Sequence, residues 1–303
     1  MKVIELNTGY YNTKFYNKGQ HCSFETRIQQ NDNCRDGYIV FNGTKYEVGQ
    51  GQRSIERRDE NFVHLICTYY NVAKQCKNNE HVTLLVALPM GHYLNEMFRN
   101  QYVASIKKNS PLMCEVDGKV KRIFIDEVVC YMEGASAVLA NPNSFVGKVC
   151  GLIDIGGNTV NAAIFNNCKL LSETITMLDL GTIKMEKQII DNINLLNGWN
   201  VQDYEVPYLI KGNDLIVNKV VSDVYDLTVK AIRNKLLEKK WSLGSLPLFF
   251  TGGGSLSLSK YIENNFVNYQ ISNNCLYDNL DGLRVVKGEI ENGEEYIDKQ
   301  PES

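Results

Sequence analysis

Two short turns that repeat one plan carry the residues best suited to chemistry. In the middle of the chain the apolar run Gly151-Leu152-Ile153 leads into Asp154-Ile155-Gly156-Gly157-Asn158-Thr159 and then into Val160 to Phe165. Near the start, Val3 to Leu6 leads into Asn7-Thr8-Gly9-Tyr10-Tyr11-Asn12-Thr13-Lys14, and the chain reads as extended again through Phe15 and Tyr16. Aligning Gly9 with Gly156 sets Asn7 over Asp154, so each half has a polar strand-end group two residues before a turn glycine. Glycine there permits positive φ and removes the Cβ that would keep phosphate oxygens off the backbone, so consecutive N–H groups form an anion-binding nest. Asn158 and Thr159 add side-chain donors. An ionised Asp154 repels phosphate but attracts Mg²⁺ or its water shell, which neutralises phosphate oxygens. Taken alone, the second turn suits an ordinary hairpin equally well, since hairpins prefer Gly and Asn.

A third cluster adds weight to the phosphate reading. The apolar strand Leu248-Phe249-Phe250 is followed directly by Thr251-Gly252-Gly253-Gly254-Ser255 and then by a helical stretch through Ser257 to Tyr261. A strand, a glycine-rich turn and a helix N-terminus let a ligand approach the backbone, with the helix dipole favouring an anion. A branched side chain at Gly253 is therefore expected to block a nucleotide. The cluster has neither the Lys-Ser/Thr of a Walker A loop nor the spacing of a dinucleotide fingerprint.

The elements that must position these turns alternate between strand and helix. Val3 to Leu6, Val82 to Leu88, Val149 to Ile153, Val160 to Phe165 and Pro247 to Phe250 are short apolar runs bounded by Gly, Pro or Asn, the signature of buried strands. Helical stripes run through Phe62, Leu65, Ile66, Tyr69 and Ala73, through Leu94, Met97, Phe98 and Tyr102, and through Val217, Val220, Val221, Val224 and Ala231. A length of 303 residues suits two lobes, and 44% hydrophobic residues supply their cores. A net charge of −3 lacks the basic excess that direct DNA binding requires. With no signal-peptide layout and no apolar stretch of eighteen residues, the expectation is a cytoplasmic protein without a membrane partner. Nine cysteines without a C-x-x-C pair read as inert thiols rather than a disulfide or zinc framework.

On these residues the sequence resembles the actin/Hsp70/sugar-kinase superfamily. The paired strand-turn-strand elements look like its phosphate loops, and Thr251 to Ser255 looks like its adenosine loop. Within it the resemblance narrows to the ParM/StbA type of plasmid-segregation filament protein. Leu88-Pro89-Met90-Gly91-His92-Tyr93 is similar to the L-P-L-x-x-Y segment of that type, Tyr46-Glu47-Val48-Gly49 to its Y-x-V-G turn, and Tyr277-Asp278-Asn279-Leu280-Asp281-Gly282 to its Y-D-x-x-x-G closing motif. Together these cover residues 1 to about 288.

The resemblance implies an α/β protein with the actin-like ATPase fold, two ribonuclease H-like lobes around a nucleotide cleft. Residues 1–143, rejoined by 277–288, are expected to form the first lobe and 144–276 the second. The acidic residues 289–303 are expected to be a disordered tail. ATP or GTP with Mg²⁺ is the implied ligand, with Asp154 on the metal. The implied nucleotide contacts are Asn7, Gly9, Tyr10, Tyr11, Asn12 and Lys14 in the first lobe, and in the second Gly156 to Thr159, Gly181 and Thr182 at a helix start, and Gly252 to Ser255. Glu133, ahead of Gly134-Ala135-Ser136-Ala137, resembles the residue that orients the attacking water, with Glu127 as the alternative. Its bland reading is an acid in the first turn of a helix. Asn7 and Asn161 depart from the pattern, since each replaces a carboxylate with a neutral amide, which favours slow hydrolysis. The implied partners are further copies of the chain, in a filament, and an adaptor protein that binds a centromere-like DNA site. Two alternatives are a structural filament with little turnover and a small-molecule kinase. The kinase reading lacks the D-x-G-x-D-like segment expected between Leu88 and Asn141.

Overall fold

In the computed structural model of the protein, residues 1–212 and 214–292 are described. The chain divides into two compact units, one of Met1–Asn143 with the segment from Tyr277, the other of Ser144–Leu276. The first unit runs β1 (Lys2–Thr8), β2 (Asn12–Asn17), β3 (Gln20–Glu25), β4 (Ile28–Gln30), β5 (Tyr38–Phe41), β6 (Thr44–Val48), α1 (Phe62–Gln75), β7 (Glu80–Leu88), α2 (Met90–Leu94), α3 (Glu96–Lys107), β8 (Leu112–Val116), β9 (Lys119–Met132) and α4 (Ala135–Ala140). The second runs β10 (Val149–Ile155), β11 (Val160–Asn166), β12 (Lys169–Leu178), α5 (Thr182–Asn197), α6 (Val206–Lys211), α7 (Leu215–Glu238), β13 (Leu248–Thr251), α8 (Gly253–Ser257), α9 (Ser259–Asn265) and β14 (Tyr269–Ile271). Helix α10 (Asp278–Glu291) belongs to the first unit again.

Both units build one sheet plan. The order β3-β2-β1-β7-β9 in the first matches β12-β11-β10-β13-β14 in the second. Pairing is antiparallel across the first three strands of each set and parallel across the last three. The parallel strands are apolar nearly throughout, as in Val82 to Leu88 and Leu248 to Thr251, because both of their faces are buried. The first sheet continues past β9 through β8-β5-β6-β4, all antiparallel.

The five apolar runs read as strands are strands. The stripe on α7 also holds, with Val217, Val220, Val221 and Val224 in one core with Met185, Ile189 and Ile193 of α5. The stripe through Leu94 and Met97 does not. Asn95 breaks the helix, and its side chain accepts from the Phe98 N–H to cap α3, leaving Leu94 and Met97 exposed while Phe98 and Tyr102 are buried. Strand β9 escapes the alternation rule because its register against β7 shifts between Val82 and Thr83, which pair with Ile125 and Glu127. The extra residue, Asp126, moves the buried positions from Ile123 and Ile125 to Val128, Cys130 and Met132.

The expected tail boundary also moves. Helix α10 runs through Glu291, three residues into the segment read as a tail, and residues 293–303 lie outside the described residues. The helix packs so closely on α4 that a Cβ on Gly282 would sit 1.9 Å from the Ser136 carbonyl oxygen. Among the described residues no helix is long and apolar enough to cross a membrane.

Candidate functional site

The two turns singled out in the sequence have one geometry. The Gly156 N–H donates to the Thr159 carbonyl at 2.9 Å, and the Gly9 N–H donates to the Asn12 carbonyl at 2.9 Å. A Cβ would lie 3.1 Å from that acceptor at Gly156 and 3.0 Å from it at Gly9, so a larger residue would crowd each turn, while the positive φ that glycine permits is used at neither position. Among the described residues nothing accepts from the N–H groups of Gly157 and Asn158. Two consecutive donors left over by a closed turn form the nest that phosphate oxygens fit.

Helix α5 holds that turn in place. Thr182 N–H donates to the Gly156 carbonyl at 3.1 Å and Ile183 N–H to the Gly157 carbonyl at 2.9 Å. A Cβ on Gly181 would come within 2.3 Å of the Gly157 carbonyl oxygen. The Thr182 N–H is thus engaged with the turn, and the start of α5 positions that turn.

Around Asp154 the second unit brings together its own hairpin and the distant glycine cluster after β13. Asp154 is 3% exposed at the end of β10 and pairs in register with Asn161 of β11. Gly252, at φ +82°, crosses so near that a Cβ would lie 2.3 Å from Asp154 Oδ1 and 2.4 Å from the Ile155 carbonyl oxygen. Asn161 is 1% exposed and its Oδ1 has no hydrogen-bond partner, while its amide reaches Thr159 Oγ1 at 3.5 Å. Asn7, 2% exposed and paired in register with Lys14, has an Oδ1 in the same condition. A buried amide oxygen without a donor costs about 1–3 kcal/mol, so each unit by itself keeps one acceptor that fits a group a ligand satisfies.

Mg²⁺ fits this donor set. It binds through one or two carboxylates plus phosphates and keeps several of its waters, so a single buried carboxylate with neutral oxygen acceptors is sufficient. Among the described residues no three His, Cys, Asp or Glu side chains group into a metal cage, and Mg²⁺ does not need one.

The glycine cluster after β13 divides its work unevenly. A Cβ on Gly254 would meet Ile155 Cγ2 at 2.3 Å, whereas at Gly253 it would meet only the end of Leu276, at 3.2 Å. Within the protein the crowding thus falls on Gly252 and Gly254. Ser255 is fully buried and its hydroxyl donates to the Thr251 carbonyl, so its side chain ties the helix to the strand and presents nothing to a ligand.

In the first unit, the Tyr10 side chain packs inward. Its ring is 5% exposed, 6.0 Å from the His64 ring, and burial raises its phenol pKa. Tyr11 is half-buried under the Arg53 guanidinium, 3.9 Å from its ring centroid. Asn12 opens β2 opposite Glu25.

Glu133 follows β9, where its N–H donates to the Leu88 carbonyl at 2.7 Å. Its carboxylate is buried and forms an ion pair with Arg58 at 2.9 Å. Gly134 N–H donates to Asn279 Oδ1 at 2.8 Å, and Asn141 Nδ2 donates to Asp278 Oδ1 at 3.0 Å, so the closing motif clamps both ends of α4. Glu127 is exposed beside the β9 bulge, which leaves Glu133 as the enclosed carboxylate. Sequence reasoning missed Arg58. It sits in a charged run, Glu56-Arg57-Arg58-Asp59-Glu60, in which Arg57 is exposed, and only burial separates the two.

The duplicated sheet plan with matching strand-end turns defines an actin-like ATPase fold. Residues 6–135 match the family described as the N-terminal domain of actin-like proteins. The whole chain is similar in fold to Ta0583, an archaeal actin homolog, with a TM-score of 0.78, 16% identity, and coverage of 95% of this chain and 100% of that one. It is similar to the ParM of a 15-stranded filament from Clostridium botulinum at a TM-score of 0.78 and 17% identity, covering 95% and 100%. It is also similar to Alp12 in its filament, at a TM-score of 0.68 and 22% identity, covering 95% and 98%. Ta0583 is also known in complex with ADP. No curated protein sequence matches the chain. Together the family match over the first part of the chain and these structures bear out the actin-like fold expected from the sequence.

Proposed function

We propose that this chain is an actin-like ATPase that binds a nucleoside triphosphate with Mg²⁺ and assembles with copies of itself into filaments. The observation that carries the reading is the pair of identically closed turns, each preceded by a buried strand-end polar group. In this reading the Gly157 and Asn158 amides take phosphate oxygens, Asp154 holds Mg²⁺ through its waters, and Asn161 accepts from that shell. The resemblance gives the Asn7 to Lys14 turn the same work, with Lys14 as the cation near the phosphates. Mg²⁺ supplies charge neutralisation of the phosphate oxygens. Glu133 keeps one carboxylate oxygen on Arg58 and uses the other to orient water, a role worth roughly two to four orders of magnitude in rate. Asn7 and Asn161 favour slow turnover, because neutral amides balance a cation less well than carboxylates. A role in plasmid segregation through a DNA-binding adaptor, in the cytoplasm, is the ParM-type extension of this reading and agrees with the net charge of −3.

The test is sedimentation and light scattering after a limiting pulse of ATP or GTP with Mg²⁺. Nucleotide binding and hydrolysis bias opposite limbs of an assembly equilibrium. Wild type should assemble and then decay, Asp154→Ala should lose Mg²⁺-dependent phosphate release, and Glu133→Gln should assemble and persist. Equal decay times for Glu133→Gln and wild type remove Glu133 from the reading, and no assembly with either nucleotide overturns the filament.

A further inference from the structure

We propose that Arg58 is the positioning residue for Glu133, an inference that rests on the water-orienting role given to Glu133 above. Arg58 is 4% exposed and is tied to three different elements of the first unit. One terminal nitrogen donates to the Ala87 carbonyl at 2.8 Å, near the end of β7. The other donates to Glu133 Oε1 at 2.9 Å. The guanidinium carbon lies 5.2 Å from the ring centroid of Tyr10, in the first hairpin turn.

These contacts explain why the group is an arginine and why it faces inward. Ala87 and Leu88 are consecutive, and the Leu88 carbonyl takes the Glu133 N–H at 2.7 Å. Arg58 and the Glu133 backbone are thus both referenced to one strand end. A planar fork held at one tip by backbone leaves the other tip a single place for a carboxylate oxygen, a constraint that an ammonium on a flexible stem does not impose. A buried ion pair contributes little net stability compared with apolar packing, and what it fixes is geometry. Arg58 Nε and His64 Nε2, both without hydrogen-bond partners, belong to side chains that line one cavity of about 100 Å³, so the guanidinium is held from its Ala87 and Glu133 contacts rather than by close packing all round.

The test compares Arg58→Lys, Arg58→Met, Glu133→Gln and the double variant Arg58→Met/Glu133→Gln in the full chain, by phosphate release at saturating nucleotide, by nucleotide affinity, and by thermal melting without nucleotide. Arg58→Lys should lower turnover by roughly 10- to 100-fold, the scale of a misplaced catalytic group, while nucleotide affinity stays within about threefold. In Arg58→Met, Glu133 is left buried without its counter-charge, so it takes up a proton. Residual turnover should then rise with pH between about pH 5 and pH 8, and nucleotide-free stability, measured against the double variant, should fall over the same range. The double variant has no carboxylate at position 133 to titrate and should lose that fall with rising pH, keeping only the opposite slope that buried His64 contributes. Should Arg58→Met not fold, Arg58→Lys and the double variant still decide. Wild-type turnover in Arg58→Lys, with Glu133→Gln inactive, overturns the positioning role and leaves Glu133 in place. Wild-type turnover in Glu133→Gln overturns instead the reading on which the proposal rests.

Discussion

Replacing Gly252 with alanine tests whether the third glycine cluster exists to let the chain pass against Asp154. Two costs add at this position. The backbone stands at φ +82° and ψ 152°, a region essentially confined to glycine, at about 1–3 kcal/mol for another residue. The new Cβ would also fall 2.3 Å from Asp154 Oδ1, the tip of a short buried side chain, and 2.4 Å from the Ile155 carbonyl oxygen, which is backbone and cannot move aside cheaply. Overpacking of that kind costs about another 1–3 kcal/mol. A total of about 2–6 kcal/mol corresponds to a fall in Tm of roughly 4–24 °C for a chain unit of this size. Displacing Asp154 should weaken Mg²⁺-dependent nucleotide binding in the same variant. The control is Gly253→Ala, where the Cβ meets only Leu276 Cδ1 at 3.2 Å and the backbone is already helical, so Tm should stay within about 2 °C. Circular dichroism melts of both variants, with a fluorescent nucleotide titration, measure these effects. A Gly252→Ala protein that melts with wild type, or a Gly253→Ala protein damaged as much, refutes the reasoning.

Two further outcomes follow from burial. His64 is 1% exposed, and burial first, then the Arg58 charge, hold its pKa well below 6.5. The unfolded chain therefore binds a proton that the folded chain refuses, so stability should fall as pH drops below about 6.5, by up to about 1.4 kcal/mol per pH unit from this group. Urea melts between about pH 5 and pH 7 should show a shallower slope in His64→Phe, and an unchanged slope would refute the assignment. All nine cysteines are free thiols, and burial pushes those of Cys67 and Cys130 up to about 12. An aromatic disulfide reagent should modify half-buried Cys22, Cys34 and Cys168 in the native protein and reach the other six only on unfolding. Fast native reaction of Cys67 or Cys130 would refute that ordering.

The sequence by itself was enough for the two hairpin turns, the five apolar strands and the glycine cluster after Phe250, because each depends on residues adjacent in the chain. Apolar runs bounded by Gly or Asn favour extended backbone through local propensity, and Gly9 and Gly156 close their turns over three residues. The tertiary structure alone decided which side chains of those motifs are buried and which backbone groups are engaged. Tyr10 and Ser255 carry promising types in promising places but point into cores, while Thr182 spends its N–H on the Gly156 carbonyl. It also decided that Arg58 rather than its neighbour Arg57 meets Glu133, a pairing across 75 positions of sequence. The bulge at Asp126 that sets the reach of β9 toward Glu133 shifts the alternation midway, so no fixed period detects it. The physical reason is common to all of these. Local sequence sets backbone conformation through sterics and turn chemistry, but burial, and with it the partner of every charged or polar side chain, is a property of what the other strands and helices bring alongside.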